Sequence, residues 1–150
     1  MRFLLIASTL ALLTTPIYAA KCVVALEATD TMQFSKKEIV VDASCKKLEL
    51  TLKHVGKLPK SAMGHNFVLT KTEDVSKVGA DAIAAGLANE YLPKDRSKII
   101  AATKLLGGGE IDTITFDISK LNHAASYTYF CSFPGHIGLM KGRFIIKKGS

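Results

Sequence analysis

The sequence has no tryptophan, and only three cysteines and four prolines among its 150 residues. Without tryptophan, the chain lacks intrinsic indole fluorescence. An odd cysteine count leaves room for one intramolecular disulfide and one thiol set apart for another purpose. Beyond the first twenty residues, no apolar run approaches the ~18 residues of a membrane span, which argues against membrane insertion. Basic residues are scattered: Lys46-Lys47 and Lys147-Lys148 are only doublets, and no aromatics interleave with them. That is not the footprint of a nucleic-acid surface. Repeats, low-complexity linkers and an evident oxyanion motif are also missing.

The N-terminus reads as a secretory signal peptide. Arg2 supplies the positive start, Phe3 to Leu13 an apolar stretch, and Thr14 to Ala20 a cleavage region. Removal after Ala19 leaves Ile17 at the third position back, whereas removal after Ala20 puts bulky Tyr18 there. The expected organisation is a leader over residues 1–19 and one domain over 20–150, long enough for a hydrophobic core. The net charge is +7, one unit of it from Arg2 in the leader. A basic surface favours acidic partners and speeds encounter with them.

The body reads as short strands. Leu48, Leu50 and Leu52 alternate with polar residues across Lys47–Lys53, and Ile114, Phe116 and Ile118 do so across Thr113–Ser119. A period of two marks a strand with one buried face. Further strands are expected at Cys22–Glu27, Glu38–Val41, Asn66–Thr70, Tyr127–Cys131 and Gly142–Lys147. The Ala-rich segment from about Asp74 to Leu87 predicts one helix, with Thr72 or Asp74 as its cap. Gly107-Gly108-Gly109 predicts a turn. Short strands at this spacing point to an all-β, antiparallel sandwich with Greek-key connections and one inserted helix.

The chemistry concentrates near the C-terminus. Cys131, four residues, His136, three residues and Met140 place a thiol, an imidazole and a thioether on one loop, and His65 stands far upstream. Alone, each has a plain structural role: an inert buried thiol, core histidines and a core-filling methionine. Together, a soft thiolate, two imidazoles and a weak sulfur form the donor set of a blue-copper electron-transfer site. Zinc also accepts a thiolate and imidazoles, but it rarely recruits a thioether. A Cys/His nucleophilic enzyme would use Cys131 with His136 or His65 and leave Met140 without a role. A copper carrier would need open, exchangeable ligation. The three cysteines do not by themselves settle their pairing, because a bridge from Cys131 to Cys22 or Cys45 is also possible. Outside the cytoplasm a pair is expected to be oxidised.

These motifs, with Met63-Gly64-His65-Asn66, Thr103-Lys104-Leu105, Met32-Gln33-Phe34 and Leu58-Pro59-Lys60, resemble the azurin family of bacterial blue-copper proteins, which are cupredoxins. The likeness runs from about Lys21 to Lys147. It implies a cupredoxin-type Greek-key sandwich or barrel holding one copper ion that cycles between Cu(I) and Cu(II). His65, Cys131 and His136 would form a trigonal plane, with Met140 and the Gly64 carbonyl as weak axial ligands. Cys22 and Cys45 would form the disulfide. Asn66 would link the ligand loops through Ser132, and the amides of Asn66 and Phe133 would point at the Cys131 sulfur. Met32, Leu58, Met63, Phe133, Pro134, Gly138 and Leu139 would form an apolar docking patch around the His136 edge. The implied activity is electron shuttling rather than catalysis, in the periplasm, by a monomer. Its partners would be redox proteins such as a c-type cytochrome or a copper or haem reductase.

The chain also departs from the family. Phe67 stands where many members carry a buried tryptophan. Ala102 replaces a surface histidine of some members, so a secondary metal site is not expected there. The many lysines make the chain unusually basic. His54 shares the buried side of the Leu48–Leu52 alternation and is not expected to be a ligand, and His123 falls in a probable-turn sequence with no assigned function.

Overall fold

The computed structural model describes residues 22–148. The expected leader and Lys21 lie outside the described residues. Among the described residues, nine strands form two packed sheets. The first sheet holds β1 (Val23–Thr29), β2 (Gln33–Phe34), β4 (Lys47–His54) and β7 (Ile111–Asp117) in the order β2-β1-β4-β7. The second holds β3 (Glu38–Asp42), β5 (Val68–Lys71), β6 (Ala101–Ala102), β8 (Tyr127–Phe130) and β9 (Lys141–Lys147) in the order β3-β9-β8-β5-β6.

The leucine alternation of β4 does what its period dictates. Leu48, Leu50 and Leu52 are fully buried between the sheets, and Glu49 and Lys53 face solvent. Each buried leucine contributes roughly 2 kcal/mol. Ile39, Leu69, Tyr129 and Phe144 close the core from the second sheet. Phe67 is fully buried and stacks on Tyr129 with ring centroids 5.5 Å apart, so an aromatic still fills the space. Cys22 and Cys45 are bonded, with Cα atoms 5.7 Å apart, and Cys131 is a free buried thiol. In the chain-entropy picture that bridge stabilises by roughly 3 kcal/mol.

The sandwich is not wholly antiparallel. β1 pairs with β4 in parallel, and so does β3 with β9. Side-chain alternation reports which face of a strand is buried, not its direction. Here the chain crosses to the other sheet as β3 between β1 and β4, which brings β4 back alongside β1 in the same direction.

The inserted helix, α2 (Val75–Ala85), is shorter than expected and is flanked by 3₁₀ turns at Thr72–Asp74 and Leu87–Asn89. Neither expected cap bonds it. Asp74 pairs with Lys98, and the Thr72 hydroxyl meets that of Thr128. Gly86 ends the helix at φ +72°, a conformation that costs glycine little. The helix buries Val78, Gly79 and Ala82. A Cβ on Gly79 would sit 2.8 Å from the Ile137 side chain, so the glycine lets the helix lie close on the loop before β9. One further helical turn, α1 (Lys60–Met63), and the short strands β2 and β6 were not expected from the sequence.

Pairing collects the ligand-bearing segments at one end of the sandwich. Val68 at the start of β5 and Lys141 at the start of β9 both pair with Phe130 at the end of β8. His65, Cys131 and Met140 each lie just outside those positions in sequence. His54 closes β4 beside Ala28 of β1 at the same end.

Candidate metal centre

His65 is fixed at both backbone and ring. Its amide donates to the Leu106 carbonyl at 3.0 Å, and its own carbonyl accepts from the Leu106 amide at 2.8 Å. Its Nε2 lies 2.9 Å from the Thr29 carbonyl oxygen. A carbonyl only accepts, so Nε2 carries the proton and the Nδ1 lone pair is free. Cys131 follows β8, and its amide donates to the Met140 carbonyl at 2.9 Å, closing the loop. Inside that loop the amides of Leu139 and Met140 both donate to the His136 carbonyl, at 3.0 and 2.8 Å.

The Nδ1 atoms of His65 and His136 lie 3.9 and 3.6 Å from the Cys131 sulfur. All three ligand atoms fall within 4.8 Å of one another, and all three residues are buried. An ion bound at about 2.0 Å to nitrogen and about 2.3 Å to sulfur in a trigonal plane would separate S from N by about 3.7 Å. The observed spacings therefore fit one ion. The Gly64 carbonyl oxygen is 3.8 Å from the sulfur. Met140 is fully buried and packs in the core cluster that contains Cys131. His65, Cys131 and Met140 have no exposed surface to the nearest percent, while His136 keeps 3%, so His136 is the donor that reaches the surface.

Burial sets the protonation of the centre. It pulls His65 down to about 4, with the nearby rings of His54 and His136 adding to the effect. It also lowers His136. Both imidazoles are therefore neutral and able to ligate at neutral pH. Burial pushes the Cys131 thiol up to about 11, and the amides of Asn66 and Phe133, directed at the sulfur, pull part of the way back.

Asn66 ties the two ligand segments together. Its Oδ1 accepts from the Ser132 amide at 2.9 Å, and its Nδ2 donates to the Ser132 hydroxyl at 2.8 Å. That hydroxyl lies 2.6 Å from the Tyr91 carbonyl, to which it donates. Bonds of this kind fix ligand orientation. Of the residues expected to form a docking patch, Leu58 (42% exposed) and Leu139 (58%) stand out from the surface, Gly138 is exposed, and Met32, Met63, Phe133 and Pro134 are half-buried. Phe133 packs on the His136 ring with centroids 4.6 Å apart.

Three features of the centre were not legible in the sequence. One is the Thr29 carbonyl that orients His65. The second is Asp30, which accepts from His54 Nε2 at 3.0 Å and from the amides of Lys57 and Leu58. Those bonds, the Lys57 amide foremost, hold its carboxyl below the usual range. The third is Tyr91, whose ring meets Phe133 at 5.2 Å. Backbone acceptors carry no sequence signal, and Asp30 reads as an ordinary turn residue. His54 stacks edge-on to His65 at 4.5 Å, and its Nδ1 is buried without a partner.

Two packed β-sheets whose loops bring a thiol and two imidazoles together at one end define a cupredoxin, the class of small copper proteins with this architecture. The family described as copper binding proteins, plastocyanin/azurin family, matches residues 20–147. The chain belongs to that family, and the relatives it matches include azurins. It is 56% identical over 127 residues to azurin of Bordetella pertussis, covering 85% of each chain. It is 48% identical over 147 residues to azurin of Pseudomonas aeruginosa, covering 98% of this chain and 99% of the relative. Among solved structures, azurin Az-iso2 of the obligate methylotroph Methylomonas sp. strain J superposes with a TM-score of 0.82 at 38% identity. That match covers 86% of this chain and all of the other.

Proposed function

We propose that this chain is an exported, periplasmic one-electron carrier that works as a monomer. Its copper would be held by His65, Cys131 and His136, with Met140 and the Gly64 carbonyl as weak axial ligands. The observation that carries the reading is the convergence of two Nδ1 atoms and one sulfur in a buried pocket whose one surface-reaching member is His136. Copper, when bound, supplies a reversible one-electron change between Cu(I) and Cu(II).

The chain's own residues do the rest. The Thr29 carbonyl and the His65–Leu106 backbone bridge hold one imidazole. The Asn66–Ser132 bonds hold the Cys131 loop against it. A frame fixed on several sides has little freedom to rearrange as charge changes at its centre, which suits rapid electron exchange. Burial of Cys131 and Met140 keeps water from the sulfur atoms. Met32, Leu58, Met63, Phe133, Pro134, Gly138 and Leu139 would form the docking surface over His136, where a c-type cytochrome or a copper or haem reductase would bring its own redox centre.

A cysteine enzyme is disfavoured by a specific observation: a fully buried thiol raised to about 11 is the reverse of an activated nucleophile. The test is a visible absorption titration of the metal-free mature protein with Cu(II). The reading requires an intense thiolate-to-copper band that saturates at one equivalent and is bleached by ascorbate. Tight binding without colour would remove Cys131 from the ligand set.

A further inference from the structure

Lysines crowd one side of the proposed docking surface. The Lys37 ammonium donates to the Leu139 carbonyl at 3.2 Å, which places its charge at the edge of an exposed leucine. Lys57 immediately precedes Leu58, and Lys141 immediately follows Met140. Lys36, Lys37, Lys57 and Lys141 are all exposed. Among the described residues, no carboxylate forms an ion pair with any of these four. Three acidic groups on neighbouring segments are already engaged, the first being Glu38, which pairs with Arg143. Asp30 receives the Lys57 and Leu58 amides and His54, and Glu110 receives the Gly107 amide and Lys60. On the Tyr91 side the charges are mixed, because Glu90 shares surface hollows with Lys94, Arg96, Lys104 and Asp112. Beside Leu58 and Leu139, Lys36, Lys37, Lys57 and Lys141 form a crescent of basic charge with no ion-paired carboxylate among the described residues.

We propose that this crescent selects a redox partner whose docking face carries carboxylates, placed to meet Lys37, Lys57 and Lys141 while its redox centre faces His136. The proposal rests on the electron-carrier reading and adds the chemistry and orientation of the partner. Exposed lysines remain hydrated, so they add little binding energy, but they steer encounter and suppress wrong orientations. An anionic lipid surface would match the charge but offers nothing to exchange electrons with His136. Lysines at the other pole cannot substitute. Lys46, whose carbonyl accepts from the amides of Ile118 and Ser119 just before Lys120, precedes β4, whose eight residues end at His54. Seven steps along a strand span about 23 Å, well beyond the ~8 Å over which physiological salt screens charge.

The test uses copper-loaded protein reduced with ascorbate and freed of excess reductant, and follows stopped-flow electron transfer to an acidic and a basic oxidised c-type cytochrome across a salt series. Wild type should reduce the acidic cytochrome faster at about 10 mM salt, and that advantage should vanish as screening increases. Joint substitution Lys37→Glu, Lys57→Glu and Lys141→Glu should cut the low-salt rate with the acidic cytochrome about tenfold or more and raise the rate with the basic one. Changing the same three lysines to glutamine should give an intermediate fall, and the visible band should be unchanged in both variants. At about 100 mM salt, where charge is screened over ~10 Å, Lys46→Glu with Lys120→Glu should alter the rate less than about twofold and the crescent variants should alter it more. Equal losses from the crescent and distal sets at that salt would overturn the proposal, because net charge would then suffice. So would a salt-independent rate, or crescent variants that lose only co-sedimentation with anionic phospholipid vesicles. Failure of the electron-carrier reading looks different: no visible band, and no transfer to either cytochrome by wild type.

Discussion

Loading the metal-free centre with copper at pH 7 should release one proton per ion, and the Cys131 thiol is its source. His65 lies near 4 and His136 is also lowered, so both imidazoles already have free lone pairs. The thiol lies near 11, so it is protonated and must be ionised to ligate. Removing a proton from such a group at pH 7 costs about 5 kcal/mol, and each further pH unit lowers that cost by about 1.4 kcal/mol. Apparent copper affinity should therefore rise about tenfold per pH unit from near neutrality until it levels off close to the thiol's own value. Below about pH 4 the slope steepens, because His65 then competes for a proton as well. Calorimetric titration in buffers of different ionisation enthalpy counts the protons directly. A count of zero would mean that the sulfur is already a thiolate or never ligates, and a count of two at pH 7 would mean that burial does not hold the imidazoles neutral. Either result would refute this picture of the centre.

Three other outcomes follow from the same geometry. Folding depresses His65 from its ordinary 6.5 to about 4, so the metal-free protein should be at full stability above about pH 6.5 and lose about 3 kcal/mol as pH falls through 4, read from denaturant midpoints. Asn66→Ala strips the Ser132 amide of its buried acceptor, while the Ser132 hydroxyl keeps the Tyr91 carbonyl, and should destabilise the metal-free protein by about 1–3 kcal/mol in the same assay. Met140→Leu should retain copper and raise its reduction potential, measured by redox titration, because a thioether near the ion tunes the potential.

Much of the fold was legible because strands such as β4 bury one face, while in β7 the inward face is half-buried. The alternation in β4 could be read residue by residue, and so could the buried position of His54. Strand direction could not, because β1–β4 and β3–β9 owe their parallel pairing to crossovers between sheets. β2, β6 and α1 are too short to establish a period. Helix capping failed as a signal because Asp74 is drawn to Lys98, a partner 24 residues away. At the centre, side-chain chemistry and loop spacing brought out His65, Cys131 and His136, which the structure brings together. The parts supplied by folding alone did not show: the Thr29 carbonyl behind His65, the Asp30 carboxylate beneath His54, and the Tyr91 contacts behind Ser132 and Phe133.

The most direct test of the electron-carrier account is voltammetry of the copper-loaded protein at an electrode, alongside Cys131→Ser. The account predicts one reversible one-electron wave per chain in the wild type. In the variant both the wave and the blue colour should be lost, while the circular dichroism of the sandwich is unchanged. A variant that kept the colour and the wave would contradict the account, as would a wild-type protein that bound copper tightly and showed no reversible wave.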